Sequence, residues 1–131
     1  MATNVRDVYV NSMVSTAGPE RLLLLLLDRL RLDVQRALEA QQVGDHAEAG
    51  KQLLHAQDII AELHSSLRVD DWDGGPALSS LYYYLFSHLV NANVRRDPKL
   101  TSECLTLIDP MVDAWREAAM SPQAATATSV G

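Results

Sequence analysis

Apolar residues recur with the period of an α-helix along four successive stretches of this chain, and short punctuated segments separate them. The first stripe is Leu23, Leu26, Leu27, Leu30, Val34, Ala37 and Leu38. The second is Ala49, Leu53, Ala56, Ile60, Leu63 and Leu67, and the third Leu78, Leu81, Tyr82, Leu85, Leu89 and Ala92. The fourth is Leu100, Cys104, Leu107, Ile108, Met111, Trp115 and Ala118. Each stripe must be buried, and four helices of about 20 residues with short links bury theirs in an antiparallel up-down bundle. The expected class is therefore all-α.

The punctuation sets the boundaries. Pro19-Glu20 opens the first helix, with Thr16 or Gly18 near the cap, and Gly44 closes it. Asp45 with Glu48 three residues on starts the second, which runs to about Val69. Pro76 begins the third after the turn DDWDGGP. Asp97-Pro98 separates the third from the fourth, which reaches about Met120 through a bend at Pro110. Residues 19–120 are the predicted bundle. Residues 1–18 form an apolar capping segment, and residues 121–131, small and polar, a disordered tail.

Leu22 to Leu27 exceed what one buried stripe needs, since six consecutive leucines cover the whole circumference of a helix. A membrane span needs about 20 mostly apolar residues, and Arg21 and Asp28 bracket this run. A signal peptide needs a basic start and a small-residue cleavage site, and neither is present. The chain reads as cytoplasmic, without membrane insertion. Its lone cysteine suits a reducing compartment. Its net charge of −6 gives no phosphate-binding surface, so no nucleic-acid partner is expected.

Apolar surface remains after the four stripes are subtracted. Leu25 and Leu32 lie opposite the core face of the first helix. Tyr83, Val90 and Val94 form a second stripe on the third helix, roughly 120–160° from its core face, with Phe86 bridging the two. Four of the seven aromatic residues fall between Tyr82 and Phe86. A contiguous apolar group of this kind normally marks a docking surface. The plainer reading is that the N-terminal segment or a wider helix crossing covers it. That segment carries Val5, Val8, Tyr9, Val10, Met13 and Val14, too apolar for a free tail, and reads as a detachable strip lying on the bundle.

No arrangement for catalysis, metal or cofactor is visible. His46, His55 and His64 are nine residues apart, so successive ones point to opposite sides of one helix. Glu62 and His64 lack the Glu-x-x-His spacing of a di-iron bundle. His88 reads as a structural histidine and Cys104 as a small buried hydrophobe. Asn93, at the core edge, reads as an interhelical hydrogen-bonding residue, whereas Asn91 faces solvent or a partner.

Four segments in register resemble the flagellin-specific secretion chaperone family, FliS. They are YVNSMVSTAGPERL, AQDIIAELHSSL, LYYYLFSHLVNANVRRD and AWREA, and they extend from residue 9 to about 119. The sequence departs from the family at Leu27-Asp28-Arg29, where a Tyr-Asp-Gly is usual, and at Gly18, where a serine precedes the proline. The resemblance implies a non-enzymatic bundle that binds the C-terminal segment of flagellin, blocks premature polymerisation and presents the subunit to the export machinery. A flagellar export-gate protein would be a further partner. It also implies an N-terminal segment that caps the bundle and is displaced by flagellin. Together with the surplus apolar surface, this makes Val8, Tyr9, Val10, Leu25, Leu32, Tyr83, Phe86, Val90, Asn91 and Val94 the candidate partner-binding residues.

Two other readings compete. A self-associating structural bundle or general helix-binding adaptor would use the same outer stripes. A histidine-phosphotransfer bundle would use His55, although QLLHAQD lacks the lysine and glycine spacing expected of one.

Overall fold

The computed structural model describes residues 5–120, with side chains from Glu20 onward. Four helices follow in order: α1 (Val5–Gln42), α2 (His46–Ser66), α3 (Gly75–Arg95) and α4 (Pro98–Ala119), with a turn of 3-10 helix at Val69–Asp71 before α3. Each helix packs on its chain neighbours, and α1 closes the ring on α4. Cross-helix pairs show the antiparallel sense. Asp33 of α1 meets His55 of α2, while Asp28 and Arg31 meet Arg116 and Asp113 of α4.

Local chemistry sets the helix ends. Gly44 adopts φ +77°, so its N–H reaches Gln41 and the Asp45 N–H reaches Ala40, which satisfies two orphan carbonyls of α1. The Asp45 carboxylate then accepts the Glu48 N–H at 3.1 Å and caps α2. Glu48 does not complete the reciprocal box, because its carboxylate accepts from the Gln52 amide at 2.8 Å. α2 ends at Ser66, three residues before the expected Val69, and the chain re-forms a single tight turn there. At Gly75 a Cβ would meet the carbonyl oxygen of Val69 at 2.1 Å, so only glycine lets α3 start this close to that turn. Asp97 caps α4 through the Lys99 N–H at 2.9 Å, with Pro98 in the first turn. α4 continues through Pro110, as expected.

α1 departs from expectation at its beginning. Its 38 residues run through Pro19, which is therefore not a helix start. A proline withdraws one N–H donor but keeps helical φ, and Pro110 shows the same tolerance in α4. α1 is much longer than the 21-residue α2 and the 22-residue α4. The pairs of Asp28 with Arg116 and of Asp33 with His55 place the far ends of α4 and α2 beside Leu22–Leu25, so α1 continues past both. The side chains of residues 5–19 lie outside the described residues, and with them the expected cover by Val8, Tyr9 and Val10. The expected tail at 121–131 lies outside them as well.

The core is the four stripes. Leu27, Leu30, Val34, Leu53, Ile60, Tyr82, Leu85, Leu89, Cys104 and Ile108 are all buried. Leu23, Leu26, Leu100, Leu107 and Trp115 are half-buried at its margin. Ala118, expected in the fourth stripe, is exposed, because α4 there stands at the rim of the bundle. Thr101 and Val112 take buried places that the stripe omitted. The Thr101 hydroxyl donates to Gln41 Oε1 at 2.6 Å, and the Gln41 amide donates to the Ala92 carbonyl at 3.3 Å, tying three helices at one end. Among the described residues no helix is long and apolar enough to cross a membrane.

Candidate partner-binding groove

The four seams between helices are not closed alike. Between α1 and α2 the Asp33 carboxylate, fully buried, accepts Arg29 Nε–H at 2.8 Å and contacts His55 Nδ1. Between α1 and α4 Arg31 pairs with Asp113 at 3.0 Å, and Arg116 pairs with Asp28. Between α3 and α4 His88 Nε2 meets Glu103 at 2.8 Å, and Tyr84 stacks on the His88 ring with centroids 5.3 Å apart. Among the described residues no ion pair crosses the seam between α2 and α3. Its polar link is His64 Nε2 with the Ser79 hydroxyl at 2.8 Å, and Gly50 packs where an added Cβ would stand 3.4 Å from Asn93 Oδ1.

That unclasped seam is open and apolar. A groove of about 460 Å³ is lined by Ile60, Ala61, His64, Ser65, Tyr83 and Phe86. Tyr83 is 69% exposed, Phe86 38% and Val94 76%, while Val90 is half-buried. The pairs of His64 with Ser79 and Gly50 with Asn93 fix the register of α2 against α3. In that register Leu54, 55% exposed, falls at the level of Leu89 and Val90, on the outer face of α2, where it lines a second open pocket with Gly50, Lys51, His55 and Asp58. The apolar strip along α3 from Tyr83 to Val94 is about 16 Å long at 1.5 Å per residue. Small residues, Gly50 and Ala61, leave room above α2 for a third helix.

The structure thus brings together four of the expected residues, Tyr83, Phe86, Val90 and Val94, with exposed Asn91 just beyond. Leu25 and Leu32 do not join them. They belong to α1, where Leu25 is half-buried and Leu32 is 37% exposed. A separate groove of about 170 Å³ lies between α1 and α4, lined by Leu23, Leu24, Trp115, Ala118, Ala119 and Glu20. Asn93 lies against Gly50, with no side-chain hydrogen bond to α2 among the described residues. Leu54 and Ala61 were not singled out from sequence. Leu54 follows the buried Leu53, and only its displacement of 100° from the stripe distinguishes it.

Several of the titratable groups are tied or buried. His55 Nδ1 is engaged with Asp33, and His88 with Glu103. Burial, aided by the charge of Glu103, pushes the Cys104 thiol up to about 12, and burial also raises the Tyr82 hydroxyl. Asp28 raises the exposed Arg116 guanidinium through their hydrogen bond. Among the described residues no group of three or more His, Cys, Asp or Glu side chains could hold a metal ion.

Clasped at three seams and left apolar at the fourth, the molecule is of the class of antiparallel four-helix bundles with one open apolar groove. Within that class the chain belongs to the FliS family, since the family model described as Flagellar protein FliS matches residues 1–122. The chain is 33% identical over 122 residues to the flagellar secretion chaperone FliS of Salmonella typhimurium, covering 90% of this chain and 87% of that protein. The protein of the same name from Escherichia coli is 31% identical over 118 residues, 88% and 87% of the two chains. That from Bacillus subtilis is 28% identical over 118 residues, 90% and 88%.

Proposed function

We propose that this protein is a cytoplasmic export chaperone that binds the C-terminal helical segment of flagellin in the α2–α3 groove. Binding covers the apolar face by which flagellin subunits polymerise and holds the subunit ready for delivery to the flagellar export apparatus. The observation that carries this reading is the apolar strip of exposed Tyr83, Phe86 and Val94 with half-buried Val90 on α3, beside the open groove, in a member of this family. Recognition is helix-in-groove, with the client's apolar face laid between α2 and α3. A client without fixed structure loses conformational entropy on binding, so affinity is built from many modest contacts. Val8, Tyr9 and Val10 are proposed to add further apolar contacts with the client.

The test is binding of a peptide spanning the C-terminal segment of flagellin from the same genome. Val90→Asp is expected to weaken binding while the melting temperature changes little. A protein that associates with itself but never with this peptide would instead support the structural-bundle reading.

A further inference from the structure

The two ends of the α2–α3 groove carry opposite charge. At one end, α3 runs out in Arg95 and Arg96, and Lys99 stands in the first turn of α4, all three exposed. Asp97, between them, is engaged as the cap of α4. Asp45 and Glu48 of α2 also lie at this end, but the first caps α2 and the second accepts from Gln52. At the other end the loop from α2 to α3 carries Asp70, Asp71 and Asp73, all exposed. Only Asp71 makes an ion pair among the described residues, a loose one of 3.9 Å with Arg68. Between the two ends α3 contributes no Asp, Glu, Lys or Arg, while α2 carries exposed Lys51 nearer the basic end and exposed Asp58 and Glu62 nearer the acidic one.

A helix is polar along its axis. Its N-terminus carries roughly half a positive charge and its C-terminus roughly half a negative one. We infer that the α2–α3 groove takes an amphipathic helix in one direction, parallel to α3, with its C-terminus at Arg95, Arg96 and Lys99 and its N-terminus over Asp70, Asp71 and Asp73. This rests on the proposed groove and adds the sense of the bound segment. The apolar strip alone cannot choose a direction, because Tyr83, Phe86, Val90 and Val94 would pack against leucines of a helix laid either way. The end charges break that symmetry. Each end favours the stated direction about 2- to 5-fold at low salt, and the two act together. The helix ends at these positions are exposed, so the preference weakens with ionic strength while apolar binding remains.

The experiment uses the full chain, isotopically labelled, and the flagellin C-terminal peptide carrying a nitroxide at its C-terminal end. The amides of Arg95, Arg96, Asp97 and Lys99 are expected to broaden on binding and those of residues 70–74 to stay sharp, with the pattern reversed for a nitroxide at the N-terminal end. Raising salt from about 20 mM to about 0.5 M should reduce this bias, because the Debye length shortens from roughly 20 Å to about 4 Å. Reversing the charges with Arg95→Glu, Lys99→Glu, Asp71→Lys and Asp73→Lys together should abolish or invert it. The four residues are exposed, and a circular-dichroism melt confirms that the variant is folded. Broadening at the acidic end in the native protein, equal broadening at both ends, or a bias that survives charge reversal would overturn the inference while leaving the groove intact. Absence of binding would overturn the groove reading and this inference with it.

Discussion

Tyr82 and Tyr83 are adjacent on α3, yet the structure gives them opposite work. Tyr82 is 2% exposed and packs in the core; Tyr83 is 69% exposed and lines the groove. Tyr82→Ala removes a buried aromatic and leaves a cavity, which costs about 3–5 kcal/mol of folding stability. For a chain of this length that is a fall of roughly 10–20 °C in melting temperature. Tyr83→Ala is a surface change worth within about 0.5 kcal/mol either way, and alanine is the better helix former. Its effect falls on binding instead. An aromatic side chain carries about 150–250 Å². If a docked helix covers half of the exposed part of Tyr83, roughly 50–90 Å² leaves water, or about 1.3–2.2 kcal/mol at 25 cal/mol per Å². Affinity for the flagellin C-terminal peptide should therefore drop about 10- to 40-fold. Urea denaturation followed by isothermal titration calorimetry reads both quantities on the same samples. Unchanged affinity for Tyr83→Ala, or a stability loss above about 1.5 kcal/mol, would refute the assignment of this face to a partner.

Arg96 closes α3 in the left-handed region at φ 51°, its N–H on Asn93 and the Asp97 N–H on Ala92, a position that suits glycine. Arg96→Gly should raise stability by about 0.5–1 kcal/mol in urea denaturation. Cys104 needs its thiolate to react, and burial holds the thiol at about 12, so alkylation by iodoacetamide at pH 8 should run at least about 100-fold slower in the folded protein than in denaturant. Asp33→Ala should cost about 1–3 kcal/mol by denaturation. The buried carboxylate carries the α1–α2 clasp, but its partners Arg29 and His55 reach solvent and can be rehydrated.

Much of the bundle could be read from periodicity because each helix buries one face, and burial is what a 3.6-residue repeat reports. Caps at Asp45 and Asp97 were legible for a local reason, since a short acidic side chain can reach only the N–H groups of its own first turn. The start of α1 was not. Pro19 marks a favourable first turn, but proline also tolerates a helical interior, and sequence alone does not say which of the two applies. Exposed apolar residues divided in the same way. Tyr83 and Val94 stood out because they repeat at helical spacing away from the core stripe. Leu54 has no such companions on α2, and the pocket it lines is seen only in the fold. Asp33 was invisible as well. It lies next to Val34 in a charged stretch, and its burial depends on His55, 22 residues away, turning in toward it.

The open seam can itself be traced to composition. Three seams have a charged or titratable residue on both sides: Asp33 with Arg29 and His55, Arg31 and Asp28 with Asp113 and Arg116, and His88 with Glu103. α3 offers α2 only Ser79 and Asn93 in that position, while its outer face from Tyr83 to Val94 is apolar. Without an acid or base on that face, α3 cannot be zipped to α2 at the surface, and the groove stays uncovered at the cost of wet apolar area. The clasped seams and the shared core let the bundle bear that cost. The stability of the free protein and the proposed binding of a helix then rest on different residues. That separation is what allows Tyr83 to be changed for binding and Tyr82 for folding, one position apart.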